Sequence, residues 1–301
     1  MLSRMVGGFL EEKRGIWSPE TTEKYSRNLI GAVGWMAARG IVAPEAVTPA
    51  AIREWLDSHA HWGPSTKHVA VTSLRAFFAW AVGRASSPAH LVALPRRPIR
   101  PQRTLSADQA EKLLGSLDTS RRKGIRDLAL IALLLDTGLR SSEICRLELI
   151  HVELERRTFQ ALTKGNRWER GVFSEYTRSV AERWLALRPE VAAPDEGAFF
   201  VSLGGLTPGK KLTRYGLQII LRALGIRAGI GPISPHDFRR TFATLALKGG
   251  ASSRLVQVAG RWSSLAQVEH YSASLTAADF DPYSPVARVM GLRVDQARSR
   301  E

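Results

Sequence analysis

Six side chains between residues 140 and 271 are of types that could act together on an anionic substrate. His236 and Arg239, in SPHDFRRTFATLAL, lie three residues apart and so project from one face of a helical first turn. An imidazole and a guanidinium placed side by side can grip an anion and move a proton. Arg140, in LLLDTGLRSSEICRLEL, follows directly on an apolar run and a Gly turn, and a guanidinium buried there needs an anion or an acid beside it. Lys164 stands in TKGNR, at a turn from which a flexible ammonium can reach into a groove. Trp262 and Tyr271 lie in AGRWSSLAQVEHYSASL. A tyrosine hydroxyl, with an ordinary pKa of about 10, becomes a nucleophile when positive charge stabilises its anion or a base takes its proton. Two arginines and a histidine provide both.

Each residue also has a plain structural reading. His236 and Arg239 can be a surface pair on a basic helix, and Glu143 can neutralise Arg140 as a purely structural partner. Lys164 can be solvated at its turn, and Trp262 and Tyr271 can be core or interface aromatics. As an ordered set, the six are not explained by unrelated accidents. Cys145, one turn beyond Arg140 on an apolar face, reads as packing.

The elements that must position these residues are mostly helices. A first helix is predicted over Ser3–Arg14. A second starts at Ser18-Pro19-Glu20, carries Tyr25, Leu29, Ile30, Val33 and Trp35, and stops near Gly40. A third starts at Thr48-Pro49, and a fourth near Ser65 presents Val69, Leu74, Phe77, Phe78 and Ala81. After a proline-rich stretch, helices are predicted over Ser106–Leu117, Ile125–Asp136 up to Thr137-Gly138, and from near Arg140. From His151 to Ser174 the period changes to two, giving strands Thr158–Thr163 and Trp168–Ser174 around a hairpin turn at 164–167. Helices resume at Glu175–Leu187, Thr213–Ala228 and His236–Lys248. The fold class is therefore mainly α with a small antiparallel β-sheet.

Composition narrows the partners. The 301 residues carry a formal net charge of +15, which favours a polyanion, either nucleic acid or an anionic membrane surface. No apolar run reaches the roughly 18–20 residues that span a bilayer, and the first residues do not read as a secretory signal. One cysteine and seven histidines without a ligand cluster predict a cytoplasmic protein with no structural metal and no cofactor. The densest positive stretch is 95–105, with Arg96, Arg97, Arg100 and Arg103 and no acid. Its three prolines keep it extended, so it reads as a basic linker between residues 1–94 and 106–284.

The stretches TGLRSSEICRL, TKGNRWERGVFS, SPHDFRRTFAT and AGRWSSLAQVEHYS resemble, in order and spacing, the Arg, Lys, His-x-x-Arg, His-or-Trp and Tyr blocks of the tyrosine recombinase (phage integrase) family. The likeness covers about residues 104–285, and residues 1–94 look like that family's helical, SAM-like core-binding domain. Arg240 stands where the family often has histidine, and Arg261-Trp262 replaces the commoner Gly-His, tryptophan being a family variant there. An additional arm-type DNA-binding module is expected to be missing.

The resemblance implies a DNA strand-exchange enzyme whose two domains close as a clamp on double-stranded DNA. It implies that Arg140 and Arg239 hold the scissile phosphate, His236 assists proton transfer, Trp262 completes the phosphate pocket through its indole N–H, Lys164 protonates the leaving 5′ oxygen, and Tyr271 attacks phosphorus. No ATP or metal is then needed. Lys67, Arg75 and Arg214, with the four linker arginines, are candidate DNA contacts. The tail 285–301, with Val286, Val289, Met290 and Leu292 as an apolar stripe, is expected either to pack on its own domain or to dock on a neighbour in a tetramer on two DNA sites. Integration and excision of a phage or other mobile element is the expected role, in a bacterial cell or phage-infected host, with accessory DNA-bending or directionality proteins. Chromosome-dimer resolution, type IB topoisomerase activity and a catalytically silent DNA-binding relative are the alternatives.

Overall fold

The computed structural model describes residues 1–96, 103–163 and 165–272, and the chain divides into two compact units at Pro101/Gln102. In the first unit α1 (Leu2–Glu12), α2 (Pro19–Ala37), α3 (Pro49–Asp57) and α4 (Pro64–Val82) form a helical bundle. Their starts follow from local chemistry. The Ser18 hydroxyl accepts the Thr21 N–H at 3.3 Å and that of Thr48 accepts the Ala51 N–H at 3.1 Å, each just ahead of a proline whose missing N–H costs nothing there. Leu29, Val33, Met36, Trp55, Phe77 and Phe78 make the centre of the bundle. Ile30, expected on the apolar face of α2, points outward and is 61% exposed, because the helix buries the row that includes Met36 instead.

The second unit is built around α6 (Arg122–Thr137), preceded by α5 (Ala107–Gly115). Residues 128–134 of α6 are buried all round, so this helix is a central one and not a surface one. It packs against α8 (Glu175–Leu187) and α10 (Pro235–Lys248). Gly138, in the left-handed region with φ +59°, ends α6 and lets the chain turn straight into α7 (Ser141–Arg146). A three-stranded antiparallel sheet follows, in the order β1 (Val152–Glu153), β2 (Thr158–Thr163), β3 (Arg167–Val172). Thr163 pairs with Arg167 across a three-residue loop in which Gly165 and Asn166 take positive φ. β2 turns Phe159 and Ala161 into the core.

After α9 (Arg214–Arg227) and α10, two short helices, α11 (Ser253–Ala259) and α12 (Ala266–Ser272), complete the described chain. Periodicity did not announce either, since each has seven residues. With α10 they share a small second core of Ala243, Leu247, Val256, Trp262 and Val268. Among the described residues no helix is long and apolar enough to cross a membrane. The tail 285–301 lies outside the described residues.

Gly124, in the first turn of α6, tests how tightly that helix is seated. A Cβ there would fall 1.9 Å from the Asp118 carbonyl oxygen. Overpacking costs about 1–3 kcal/mol, more than the up to ~1 kcal/mol that alanine gains in helix propensity. Gly124→Ala should therefore lower the denaturant midpoint; an unchanged or raised midpoint would show that the 118–124 turn yields freely.

Candidate active site

The end of α6 and the start of α7 place the first arginine. Arg140 is the residue before α7, and its backbone N–H donates to Glu143 Oε2 at 2.9 Å while its Nη1 donates to Glu143 Oε1 at 2.6 Å. The acid is therefore a real partner, as the structural reading required. It does not consume the guanidinium, because Arg140 keeps 30% of its side chain accessible whereas Glu143 keeps 1%.

Arg239 arrives from the first turns of α10. That helix is held at its start by Asp237, whose carboxylate accepts the Ser234 backbone N–H at 2.8 Å. Arg239 is buried, and its Nη1 donates to the Gly138 carbonyl at 2.6 Å. Its Nη2 is buried without a hydrogen-bond partner among the described residues. Desolvation, then the positive charge of Arg140, push its pKa below the ordinary arginine value, and Arg261 adds to the effect. A buried cation with an unused donor is a high-energy arrangement unless an anion completes it.

Trp262 lies against this arginine face-on, with the Arg239 guanidinium carbon 4.0 Å from its ring centre. Phe242 stacks on the same indole at 6.1 Å, and the Tyr271 ring sits 5.5 Å away. The contact shown for Trp262 is thus through its ring face. Gly260 makes this possible, since a Cβ there would meet the indole at 1.7 Å. Tyr271, on α12, is half-buried, and negative charge on its oxygen would interact favourably with Arg239.

His236 reaches solvent at the start of α10. Partial desolvation, followed by the charges of Arg240, Arg239 and Arg140, lowers its pKa below the ordinary 6.5 against the smaller opposing effect of Asp237. The imidazole is therefore neutral at neutral pH and able to accept a proton. Cys145 is buried and its thiol is raised to about 11 by burial, which suits packing and not nucleophilic chemistry.

Arg140, His236, Arg239, Trp262 and Tyr271 are thus brought into one neighbourhood, whereas Lys164 lies outside the described residues. The candidate DNA contacts divide. Arg97 and Arg100 lie outside the described residues, and Arg96 and Arg214 are exposed. Arg75, half-buried, donates to the carbonyls of Ala89 at 3.1 Å and Val92 at 2.8 Å and so helps to hold its own unit. Arg103 donates to the carbonyls of Ile230 and Pro232, and Lys67 lies 3.6 Å from Asp57. One side chain of the cluster went unrecognised in the sequence. Arg261 is buried with its Nη2 3.8 Å from Glu143 Oε2, and no periodicity marks a basic residue as internal.

Residues 103–277 match the model of the phage integrase family, more than half the chain, and the chain belongs to that family. It is a tyrosine recombinase, an enzyme that breaks and rejoins DNA strands at specific sites. Similar proteins include tyrosine recombinase XerD of Listeria monocytogenes serotype 4b (strain F2365), 33% identical over 257 residues that cover 83% of this chain and 86% of the relative. Tyrosine recombinase XerC of Mycobacterium sp. (strain KMS) is 31% identical over 232 residues, 73% and 76% of the two chains. The fold is shared with the XerH site-specific recombinase in its pre-cleavage complex with difH, at a TM-score of 0.71 and 18% identity over 89% of this chain and 92% of that one. It is shared also with the integrase of the Tn1549 transposon, at 0.71 and 18% over 95% and 99%.

The lowered His236 pKa carries a sign. Below it the imidazole is charged and cannot take a proton, so single-turnover cleavage should rise with pH through a midpoint below 6.5 and level off by neutrality. His236→Gln should abolish that acid limb; a limb that persists unchanged in the variant assigns it to another group.

Proposed function

We propose that Tyr271 is the nucleophile of the strand exchange and that Arg140, Arg239, His236, Trp262 and Lys164 form its phosphate site. The observation that carries this reading is the Nη2 of Arg239, buried and without a hydrogen-bond partner among the described residues, on a guanidinium that feels the charge of Arg140 and lies against Trp262, the ring next to Tyr271. In this site the two guanidiniums hold the non-bridging oxygens of a phosphodiester and stabilise the charge that builds up in the pentacoordinate transition state. His236 accepts the phenolic proton as the Tyr271 oxygen bonds to phosphorus. The 5′ oxygen leaves with the bond's electron pair and takes a proton from Lys164, leaving a 3′-phosphotyrosine. Attack by the 5′ hydroxyl of a partner strand reverses each step. The ester energy is retained in the protein–DNA bond, so rejoining needs no nucleotide cofactor.

The substrate is double-stranded DNA, gripped by basic side chains of which Arg96 and Arg214 are exposed candidates. Exchange of two strand pairs calls for four subunits around two duplexes. The enzyme acts in the cytoplasm, in the integration and excision of a phage or other mobile element. Incubating the protein with plasmids carrying the two candidate attachment sequences from its genomic surroundings should yield hybrid junctions; products only between identical sites would instead indicate resolution of chromosome or plasmid dimers.

On a substrate nicked beside the cleavage point, the wild type should accumulate a covalent protein–DNA adduct resistant to denaturation, and Tyr271→Phe should accumulate none. An adduct formed by that variant would move the nucleophile elsewhere, with Tyr283 the next to test. Arg239→Ala should keep much of its DNA affinity yet slow adduct formation by about 10²–10³-fold, as loss of a transition-state charge partner does.

A further inference from the structure

The site contains a third guanidinium that the proposed chemistry does not use. Arg261 is 2% exposed at its side chain and sits at φ +57°, in the left-handed region where a long side chain is strained. Its Nη1 donates to the Ala259 carbonyl at 2.9 Å and its Nη2 to the Thr137 carbonyl at 3.0 Å. The same Nη2 lies 3.8 Å from Glu143 Oε2, the oxygen that accepts the Arg140 backbone N–H. The sheet is shaped to receive it. The guanidinium rests over the Phe159 ring at 5.1 Å, and a Cβ on Gly171 would come within 3.0 Å of its Nη1. Its Nε is buried without a partner among the described residues.

A strained backbone, a desolvated charge and an unused donor at one residue all work against folding, so the side chain needs a function that offsets them. Its partners indicate which. Thr137 and Gly138 are consecutive; the carbonyl of the first holds Arg261 and that of the second holds Arg239. Glu143 joins Arg140 to Arg261, and Arg261 is followed in the chain by Trp262, which covers Arg239. We propose that Arg261 is a positioning residue that fixes the separation of Arg140 from the Arg239–Trp262 pair by tying the end of α6, the Glu143 carboxylate and the loop before Trp262 into one unit. Both its terminal nitrogens are engaged inside the protein, so it acts through its neighbours and not on the phosphate. This inference rests on the reading that Arg140 and Arg239 grip the phosphate together.

The test uses the full-length protein, the nicked DNA substrate and single-turnover adduct formation at saturating protein. Arg261→Gly accepts the left-handed backbone, and Arg261→Lys keeps the charge without the fork. Both should bind DNA as the wild type does, and adduct formation should slow by about 10²-fold, the cost of a misplaced reacting group. In a Glu143→Gln background the further loss caused by Arg261→Gly should largely vanish, because the two changes break the same tie. An arginine with only a structural role would instead lower the rate in proportion to the folded fraction seen in thermal melting, and its effect would multiply with that of Glu143→Gln. A folded Arg261→Gly protein that cleaves at the wild-type rate, or full multiplication of the two losses, overturns the proposal. Should the glycine variant melt below the assay temperature, the lysine variant decides by the same criteria. Absence of an adduct in the wild type itself would overturn the phosphate-site reading, and this inference with it.

Discussion

Glu143 is the point on which the site's electrostatics turn. Three guanidiniums, Arg140, Arg239 and Arg261, crowd the end of α6, and Glu143 is the acid that pairs with two of them from a fully buried position. Unit charges about 4 Å apart interact by ~4 kcal/mol at the effective dielectric of a protein near its surface, so three such cations cannot be assembled without compensation. One carboxylate answers for one of them. The carbonyls of Thr137 and Gly138, at the negative end of the α6 dipole, supply partial charge to the other two. What remains, among the described residues, is a net positive site with a buried donor left over, an environment already organised for an anion before one arrives. Preorganisation of this kind places the energetic cost in folding and leaves little reorganisation for the reaction step.

The architecture that tolerates this cost is a buried helix stopped abruptly. Because residues 128–134 of α6 are apolar and buried all round, the helix is locked between α8 and α10, and the left-handed Gly138 exposes its last carbonyls to the incoming arginines instead of to water. The aromatic half of the site depends on a different, smaller core. Ala243, Leu247, Val256 and Val268 seat Trp262, and Trp262 in turn sets where Tyr271 can lie relative to Arg239. Tyr271 is thus held through one indole ring and a short helix, whereas Arg239 and Arg261 are held by hydrogen bonds to the carbonyls that end α6 and Arg140 by Glu143.

Positive charge in this chain does more than face DNA. Arg75, Arg103, Arg188 and Arg261 all donate to backbone carbonyls of their own unit. A count of basic residues therefore overstates the surface available to a polyanion. Residues such as Arg96 and Arg214, exposed on their units, are better candidates than a charge tally would distinguish.

Much of the fold was legible from the chain because caps and periodicity are local properties. Ser18-Pro19, Thr48-Pro49, Gly138 and the Gly165-Asn166 turn each acted as the physics of their backbone requires, and β2 and α8 have the bounds that periodicity predicts. Arg140, His236, Arg239, Trp262 and Tyr271 could also be singled out as a candidate site, since the proposed phosphate chemistry restricts which side chains can serve. Other features were settled in three dimensions alone. That Arg75 bonds to the Ala89 carbonyl, that Trp262 offers its ring face to Arg239, and that Arg261 is internal are consequences of which distant carbonyls and rings come within a few ångströms after packing. Local sequence determines what each residue is able to do; the meeting of α6, α7, β2 and α10 determines which partners it finds, because burial and long-range hydrogen bonds exist only once those elements are packed together.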